Sequence, residues 1–167
     1  MVYIPDIVDY KPFYIQTEGD SVARSTTDWG LVAKSNPYPL LPTPKDPYKN
    51  EWVDENGDDE WCEDMHYEAT EISVSFYIKA FDSERETSEQ VIHTQIEDFF
   101  AYIRKGQFKI YDTYTGIGRD KVRYAGYEED TFVSRGNWSK AIFEIKFKIN
   151  DPITRYILKD GKIEKKV

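Results

Sequence analysis

A chain of 167 residues with 40% hydrophobic and 16% aromatic side chains can build one ordinary core and is too short for two. Its formal net charge of −9 argues against nucleic-acid binding, because phosphate would be repelled, although such a surface could line a passage that DNA traverses. The single cysteine, Cys62, excludes an internal disulfide framework, and no apolar run is long enough to span a membrane. Because the N-terminus lacks the basic and apolar regions of a signal peptide, we expect synthesis in the cytoplasm.

The first 35 residues are weakly patterned. Ile4, Ile7 and Val8 could begin a strand, which the prolines on either side would confine to a sheet edge. Residues 29–33 could form one more short strand.

Residues 35–64 differ sharply in composition from the rest, and we name them the arm. Five prolines between positions 37 and 47 favour an extended path, because proline cannot donate to a β-ladder. Positions 51–64 then hold eight carboxylates and no Lys or Arg, with Trp52 and Trp61 among them. The arm is either a solvated insertion or a segment that orders against a neighbouring subunit, since exposed Trp and Tyr are typical interface anchors.

The residues after the arm predict a strand and then the one strong helix of the chain. Residues 70–81 alternate between apolar and polar side chains, as a half-buried strand does. In residues 87–106, Thr87 and Gln90 form a capping box, and Gly106 can take the left-handed C′ conformation. The apolar stripe between them contains Val91, Ile92, Ile96, Phe99, Phe100 and Ile103. Because Ile96 lies mid-stripe, we expect Ile96→Asp to unfold the domain.

The remaining sequence predicts further strands. They fall at residues 107–112, 121–127, 131–135 and 140–149, with turns at 113–120 and 136–137. Residues 153–167 are mixed in pattern, and we expect a basic tail that frays at 162–166. Strands, one helix and more strands predict a single α+β domain over residues 1–167. The architecture is an antiparallel β-sandwich or split β-barrel with one long amphipathic helix packed on it.

Residues able to support chemistry are few and scattered. The acidic run at 54–60 could bind calcium loosely, but Gly57 does not fit the EF-hand spacing, and a solvated turn is simpler. Cys62 and His66 have the spacing of half a zinc site, yet His93 is the only other histidine. Either histidine could in principle pair with Cys62 as a nucleophile, without any supporting motif. We predict no catalytic, metal or cofactor site.

One ordered set of features resembles a known family. An alternating strand precedes a long helix that ends near Gly106, and an aromatic strand follows. Next come a glycine-rich turn with Arg119 and Arg123, the sequence YAGY at 124–127, and a long strand that closes on Asp151 and Pro152. This order, over roughly residues 70–152, resembles the N-terminal domain of the distal tail proteins of long-tailed bacteriophages and, more broadly, the tail-tube-like fold.

The chain departs from that family at two places. A Gly/Arg-rich motif near the N-terminus is not evident, and the sequence stops soon after Asp151 and Pro152, before any carbohydrate-binding-like second domain. The resemblance therefore favours a plain ring or tube component over a protein that docks adhesins.

The resemblance implies a structural virion protein without catalytic residues, cofactor or small-molecule substrate. Its partners would be copies of itself, in a homo-oligomeric, hexameric ring, and other tail proteins; no membrane or specific nucleic acid is expected. For such a ring we expect the acidic arm to dock near a neighbour's Lys146, Lys148 or residues 162–166. Deletion of residues 37–64 should then abolish assembly and leave a folded monomer. The expected interface residues are Tyr38, Pro39, Tyr48, Trp52, Trp61, Lys146 and Lys148.

Two other classes of function stay open from the sequence. One is a small β-sandwich module whose aromatic, acidic loop binds a carbohydrate or a peptide. The other is a hydrolase that uses the acidic loop, for which no motif is present. A particle mass that is a multiple of six subunits would favour the tail protein over the binding module.

Overall fold

In the computed structural model of the chain, the described residues are 2–3, 13–33, 38–51, 53, 56–63 and 65–167. They contain one α-helix, α1 (Ser88–Ile103), and a 3₁₀ helix (Thr26–Trp29). The strands of this part of the chain are β1 (Val2–Tyr3), β2 (Phe13–Thr17), β3 (Arg24–Ser25), β4 (Val32–Ala33), β5 (Lys49–Glu51), β6 (Asp58–Glu60), β7 (Thr70–Phe81), β8 (Phe108–Asp112), β9 (Ile117–Arg135), β10 (Trp138–Ile149), β11 (Tyr156–Lys159) and β12 (Lys162–Lys165).

Ten of these strands form one antiparallel sheet that folds back on itself. Its main order is β1-β7-β10-β9-β8-β2-β3, with β4 on β7 and the β11–β12 hairpin on β9. Three strands separate β2 from β7 in this order, yet the ring of Phe13 meets the ring of Phe76 edge-on at 6.1 Å and stacks on Phe147 at 6.4 Å. The two halves of the sheet therefore enclose a shared core. The predicted α+β fold, a β-sandwich with one helix, is confirmed.

The two 12-residue strands, β7 and β10, match the alternating pattern of their sequences. β7 and β10 pair along their whole length, with Val74 opposite Ile145 and Phe76 opposite Phe143, and their apolar side chains are buried on one face.

The prediction of separate strands at 121–127 and 131–135 is wrong, because β9 runs through both. Two register shifts against β10 let this long strand bend without ending. The turn before it is also shorter than expected and ends at Gly116.

Helix α1 begins as predicted and ends slightly earlier. Gln90 N donates to Thr87 Oγ1 at 3.3 Å, and Thr87 N donates to Gln90 Oε1 at 3.0 Å, which completes the capping box. Arg104 is a right-handed C-cap. Gly106 therefore lies one position beyond C′, with a φ of 144°. The predicted left-handed C′ glycine is wrong.

The buried face of α1 is rotated from the predicted stripe. Ile92 is fully buried, whereas Ile96 is partly buried and Phe100 is 39% exposed. Tyr102, which the stripe omitted, is buried instead. Its ring packs on Trp29 at 5.0 Å, while its hydroxyl donates to Asp20. Ile96 thus lies at the margin of the helix–sheet contact and not at its centre.

The C-terminal residues form a hairpin where a frayed tail was expected. Asp160 and Gly161 both have positive φ values, 50° and 76°, which suit the two-residue turn between β11 and β12. Ile163 is 1% exposed, and its N–H donates to Gln16 Oε1 at 2.8 Å. The expectation of a frayed run at 162–166 is wrong, because β12 is held against β2.

The N-terminal expectations are only partly testable. The possible strand at Ile4, Ile7 and Val8 lies outside the described residues. Of residues 29–33, only β4 is a strand: Trp29 ends the 3₁₀ helix, and Gly30 caps it at a φ of 74°. The strand β2 was not predicted.

Candidate assembly surfaces

The described residues of the arm form an antiparallel hairpin with the residues that follow them. Near its base, Lys45 N donates to His66 O at 2.8 Å and Glu68 N donates to Thr43 O at 2.9 Å. Further out, β5 and β6 pair as a separate two-stranded sheet, which we name the arm hairpin. The arm therefore has a β-structure of its own in its described residues.

The charge of the chain is concentrated in the arm. Nine of its 31 carboxylates and only one of its 22 basic residues lie between positions 46 and 65, so that this segment carries −8 of the formal charge of −9. Its one cation, Lys49, contacts Glu51 at 3.0 Å and Asp58 at 3.5 Å. The hydrogen bond to Glu51 is the main cause that raises the pKa of Lys49. The rest of the chain is close to neutral.

Two of the predicted anchor residues meet on the arm. Tyr48 is 72% exposed and Trp61 is 54% exposed, their ring centroids lie 5.1 Å apart, and Trp61 N donates to Tyr48 O at 2.9 Å. Pro39 is also exposed, whereas Trp52 lies outside the described residues. The arm hairpin thus presents an aromatic pair to its surroundings. Sequence reasoning missed the strongly exposed apolar side chains of Leu40, Leu41 and Val53.

Tyr38 belongs to the body of the domain. Its ring packs against the core, and burial, the largest cause, raises the pKa of its hydroxyl, with the Asp112 carboxylate acting in the same direction. The side chain is therefore positioned to fix the start of the arm on the sandwich.

The predicted basic anchors lie on the outward face of β10. Lys146 Nζ contacts Glu128 Oε1 of the neighbouring strand at 3.0 Å, and this hydrogen bond is the main cause that raises the pKa of Lys146. Lys148 lies between Glu71 and Arg123 in the strand register. Lys146 already has an acidic partner within the chain, and the Glu128 carboxylate partly neutralises its charge.

A surface that the sequence did not predict lies beside α1. The helix leaves part of the sheet uncovered, and a groove of about 560 Å³ separates it from β9 and β10. Phe100, Tyr127 and Phe132 line this groove and are 39%, 51% and 37% exposed. Such a concentration of exposed rings typically marks an interaction site. A hint was present in the sequence, since Phe100 widened the apolar stripe of the helix.

The groups that catalysis or metal binding would require are apart. Cys62 is exposed in the arm, whereas His93 lies on α1 and stacks on Phe132 at 5.8 Å. Across the described ranges, no three His, Cys, Asp or Glu side chains are grouped as a metal site would need. Nor does this part of the chain contain a helix with the length and apolarity to cross a membrane.

Comparison with solved structures gives a fold relative. Dit (gp 19.1) of bacteriophage SPP1, described as a paradigm of the hub adsorption apparatus in phages that infect Gram-positive bacteria, superposes with a TM-score of 0.58 at 16% identity. The fold resembles that of a phage tail protein. The match covers 88% of this chain and 53% of Dit, so the chain spans about half the length of that relative. No protein-family model and no curated protein matches the sequence.

Proposed function

We propose that this chain is a structural subunit of a bacteriophage tail that acts by assembling with copies of itself into a ring, six being the expected number. The observation that carries the proposal is the likeness to SPP1 Dit, which extends over 88% of the chain. Its place would be the virion, at the tail tip or along the tube, with other tail proteins above and below. No step of this role requires a catalytic group.

The arm supports self-assembly. It carries two exposed aromatic side chains, Tyr48 and Trp61, which a neighbouring subunit can bury. A contact between the arm of one copy and a different surface of the next is heterologous, and such contacts form a ring when the rotation between copies closes. Because the net negative charge lies almost entirely in residues 46–65, the nearly neutral bodies can pack side by side with little repulsion.

The oligomeric state of the purified full chain tests the proposal. Native mass spectrometry, with negative-stain microscopy of the same sample, should show rings whose mass is a multiple of six subunits. A monomer at every concentration would contradict the proposal. If that monomer also melted at a higher temperature with a glycan or a peptide, it would support a binding module.

The structure suggests how to remove the arm hairpin without disturbing the body of the domain. Lys45 and His66 are already joined by a backbone hydrogen bond, so an Asn-Gly turn in place of residues 46–65 should close the base of the arm. This replacement retains Tyr38, which packs on the core. We expect a folded monomer whose denaturation midpoint matches that of the full chain. Rings of unchanged size would show that the arm is not required.

A further inference from the structure

We infer that the groove between α1 and strands β9 and β10 receives two leucines, Leu40 and Leu41, of a second copy of this chain. The inference rests on the proposed self-assembly and names a pair of surfaces that meet between neighbouring subunits.

The groove is suited to uncharged, apolar side chains. Helix residues Ile96 and Phe100 form one wall, while Tyr127 and Phe132 of β9 form the other. Its volume of about 560 Å³ lies within the usual range of pockets that hold drug-sized ligands, roughly 300–1,000 Å³, and two leucine side chains are smaller than such a ligand. Burying the exposed rings under these side chains would remove apolar surface from water.

The charge of the groove disfavours an acidic occupant. Among the described residues that line it, Glu97 is the only Asp, Glu, Lys or Arg. Asp98, which is also exposed, follows it on the helix. The segment 46–65, which carries a net charge of −8 and contains the arm hairpin, would be repelled by these carboxylates. The groove therefore favours an apolar occupant with no charge or with a positive one.

Residues 35–44 meet this requirement. They hold no charged side chain, and within them Leu40 is 98% and Leu41 is 81% exposed. We name these two leucines the dileucine bend, since the chain bends there. The next charge is Lys45, which is exposed and separated from Leu41 by at most about 14 Å of chain. With the bend in the groove, the ammonium group of Lys45 can lie near the carboxylate of Glu97.

The fold constrains the dileucine bend on both sides. Tyr38, which precedes it, packs on the core, and after it the carbonyl of Thr43 accepts a hydrogen bond from Glu68 N at 2.9 Å. Prolines at positions 39 and 42 flank the two leucines and fix their own φ angles. Because the bend is constrained before docking, it loses little conformational freedom when a partner covers it.

The occupant comes from a different copy. None of the residues that line the groove belongs to the arm, and the part of β10 that borders the groove is residues 141–143 and 145. In the same chain, Pro42 lines a small pocket with Ile149, at the C-terminal end of β10. Each copy thus has the bend and the groove at different places, and such a heterologous contact forms a ring when the rotation between copies closes.

A pair of introduced thiols tests the contact in the full chain. Cys62→Ser removes the native cysteine, and Lys45→Cys with Glu97→Cys places thiols at the two charged positions. Under mild oxidation we expect disulfides between position 45 of one copy and position 97 of the next, giving a ladder of covalent oligomers. Because docked thiols have a high effective concentration, the ladder should form at least about tenfold faster than with Glu89→Cys in place of Glu97→Cys. Position 89 is an exposed glutamate of the same helix that does not line the groove.

The outcomes separate the two proposals. Rings without a preferential 45–97 cross-link would overturn the groove inference and leave the tail role standing. Monomers at every concentration would overturn both. A 45–97 disulfide within one chain would also overturn the inference, because the groove would then hold the chain's own bend.

Two further variants test other occupants of the groove. Glu97→Cys combined with Cys62→Ser should form no covalent dimer, since a dimer would mean that groove meets groove. Glu97→Cys with Cys62 retained should form no ladder, because a 62–97 ladder would mean that the arm hairpin occupies the groove. Either product would overturn the inference.

A charge exchange tests the placement of Lys45 without disulfides. Glu97→Lys and Lys45→Glu should each raise the concentration needed for half-assembly by about threefold, and the two together should restore most of the loss, as for an exposed ion pair. Glu89→Lys is the control and should have little effect. Equal effects of Glu97→Lys and Glu89→Lys, or no recovery in the exchanged variant, would contradict the proposed contact.

The apolar part of the contact is tested by removing it from each side. Leu40→Ser/Leu41→Ser and Phe132→Ser should each raise the half-assembly concentration by at least about tenfold, as loss of an interface anchor does. All three changes together should be only slightly worse than either variant, because both remove the same contact. Val22→Ser, at an aliphatic side chain that is 51% exposed elsewhere, is the control. Fully additive effects would count against the inference.

Discussion

The hydroxyl oxygens of Ser88 and Ser139 lie 2.7 Å apart inside the protein and join the first turn of α1 to the start of β10. Ser139 also donates to Ser134 at 3.0 Å, and Ser88 N donates to Asp82 Oδ1 at 2.6 Å. Ser139 has no exposed surface, and Ser88 is 3% exposed. These contacts fix the N-terminal end of the helix on the sheet.

Ser139→Ala should destabilise the fold by about 1–3 kcal/mol, because the Ser88 hydroxyl is then left buried without this partner. Urea denaturation measures the loss. The double variant Ser88→Ala/Ser139→Ala should lose less free energy of unfolding than the two single variants together. The second substitution removes a hydroxyl that the first has already left without its partner. Ser134→Ala, at an exposed position, is the control and should have the smallest effect.

A pair of aspartate substitutions distinguishes the centre of the helix–sheet contact from its margin. Ile92→Asp places an unpaired charge in the fully buried core and should destabilise by more than about 4 kcal/mol, a large part of the stability of an ordinary domain. Ile96→Asp should cost only about 1–2 kcal/mol, because the partly buried site opens into the groove, where water can reach the carboxylate. Circular dichroism melts measure both. Equal losses would mean that Ile96 is as central as its position in the stripe suggested.

Local signals explain what was predictable. Thr87 and Gln90 are three residues apart, so their reciprocal hydrogen bonds are encoded within one turn of helix. The alternation in β7 and β10 reports directly on which side chains face the core, because a strand has a period of two. These elements were found with nearly correct ends.

The features that the sequence did not predict are of two kinds. Some depend on tertiary contacts, and one has a local turn signal that was not weighed. Asp160-Gly161 is a strong hairpin signal in the sequence, yet the basic residues around it suggested a frayed tail. The apolar stripe omits Tyr102, whose hydroxyl meets Asp20 and Thr17 only in the folded chain. The groove depends on how far α1 lies from β9. No local pattern reports that distance.

Close packing makes Gly118 a sensitive position. A Cβ there would lie 2.8 Å from the carbonyl oxygen of Tyr156, at the point where β9 pairs with β11. Gly118→Ala should therefore destabilise by about 1–3 kcal/mol through overpacking and should weaken the attachment of the C-terminal hairpin. Hydrogen exchange at Ile163 N would report that weakening. Gly19→Ala, where a Cβ meets nothing within 4 Å, is the matched control and should be neutral.

Two tyrosines should limit the stability of the fold in alkaline solution. Burial is the largest cause that raises the pKa of Tyr38 and of Tyr102; the Asp112 carboxylate adds to the shift at Tyr38, and the hydrogen bond to Asp20 adds at Tyr102. Below about pH 10 both hydroxyls stay protonated in the folded and the unfolded chain, so their contribution to stability is fully present. As the pH rises further, the unfolded chain ionises first. Each group then lowers the free energy of unfolding by up to about 1.4 kcal/mol per pH unit until its folded-state pKa is passed.

Tyr38→Phe should remove the larger part of this alkaline loss, since the pKa of the Tyr38 hydroxyl is raised further than that of Tyr102. Urea midpoints measured between pH 8 and about pH 11 should fall less steeply for this variant than for the unsubstituted chain. Tyr48→Phe is the control: it removes a tyrosine that is 72% exposed on the arm, and it should leave the slope unchanged. If the three proteins lose stability in parallel above pH 10, the hydroxyl of Tyr38 is not the group that the fold keeps protonated.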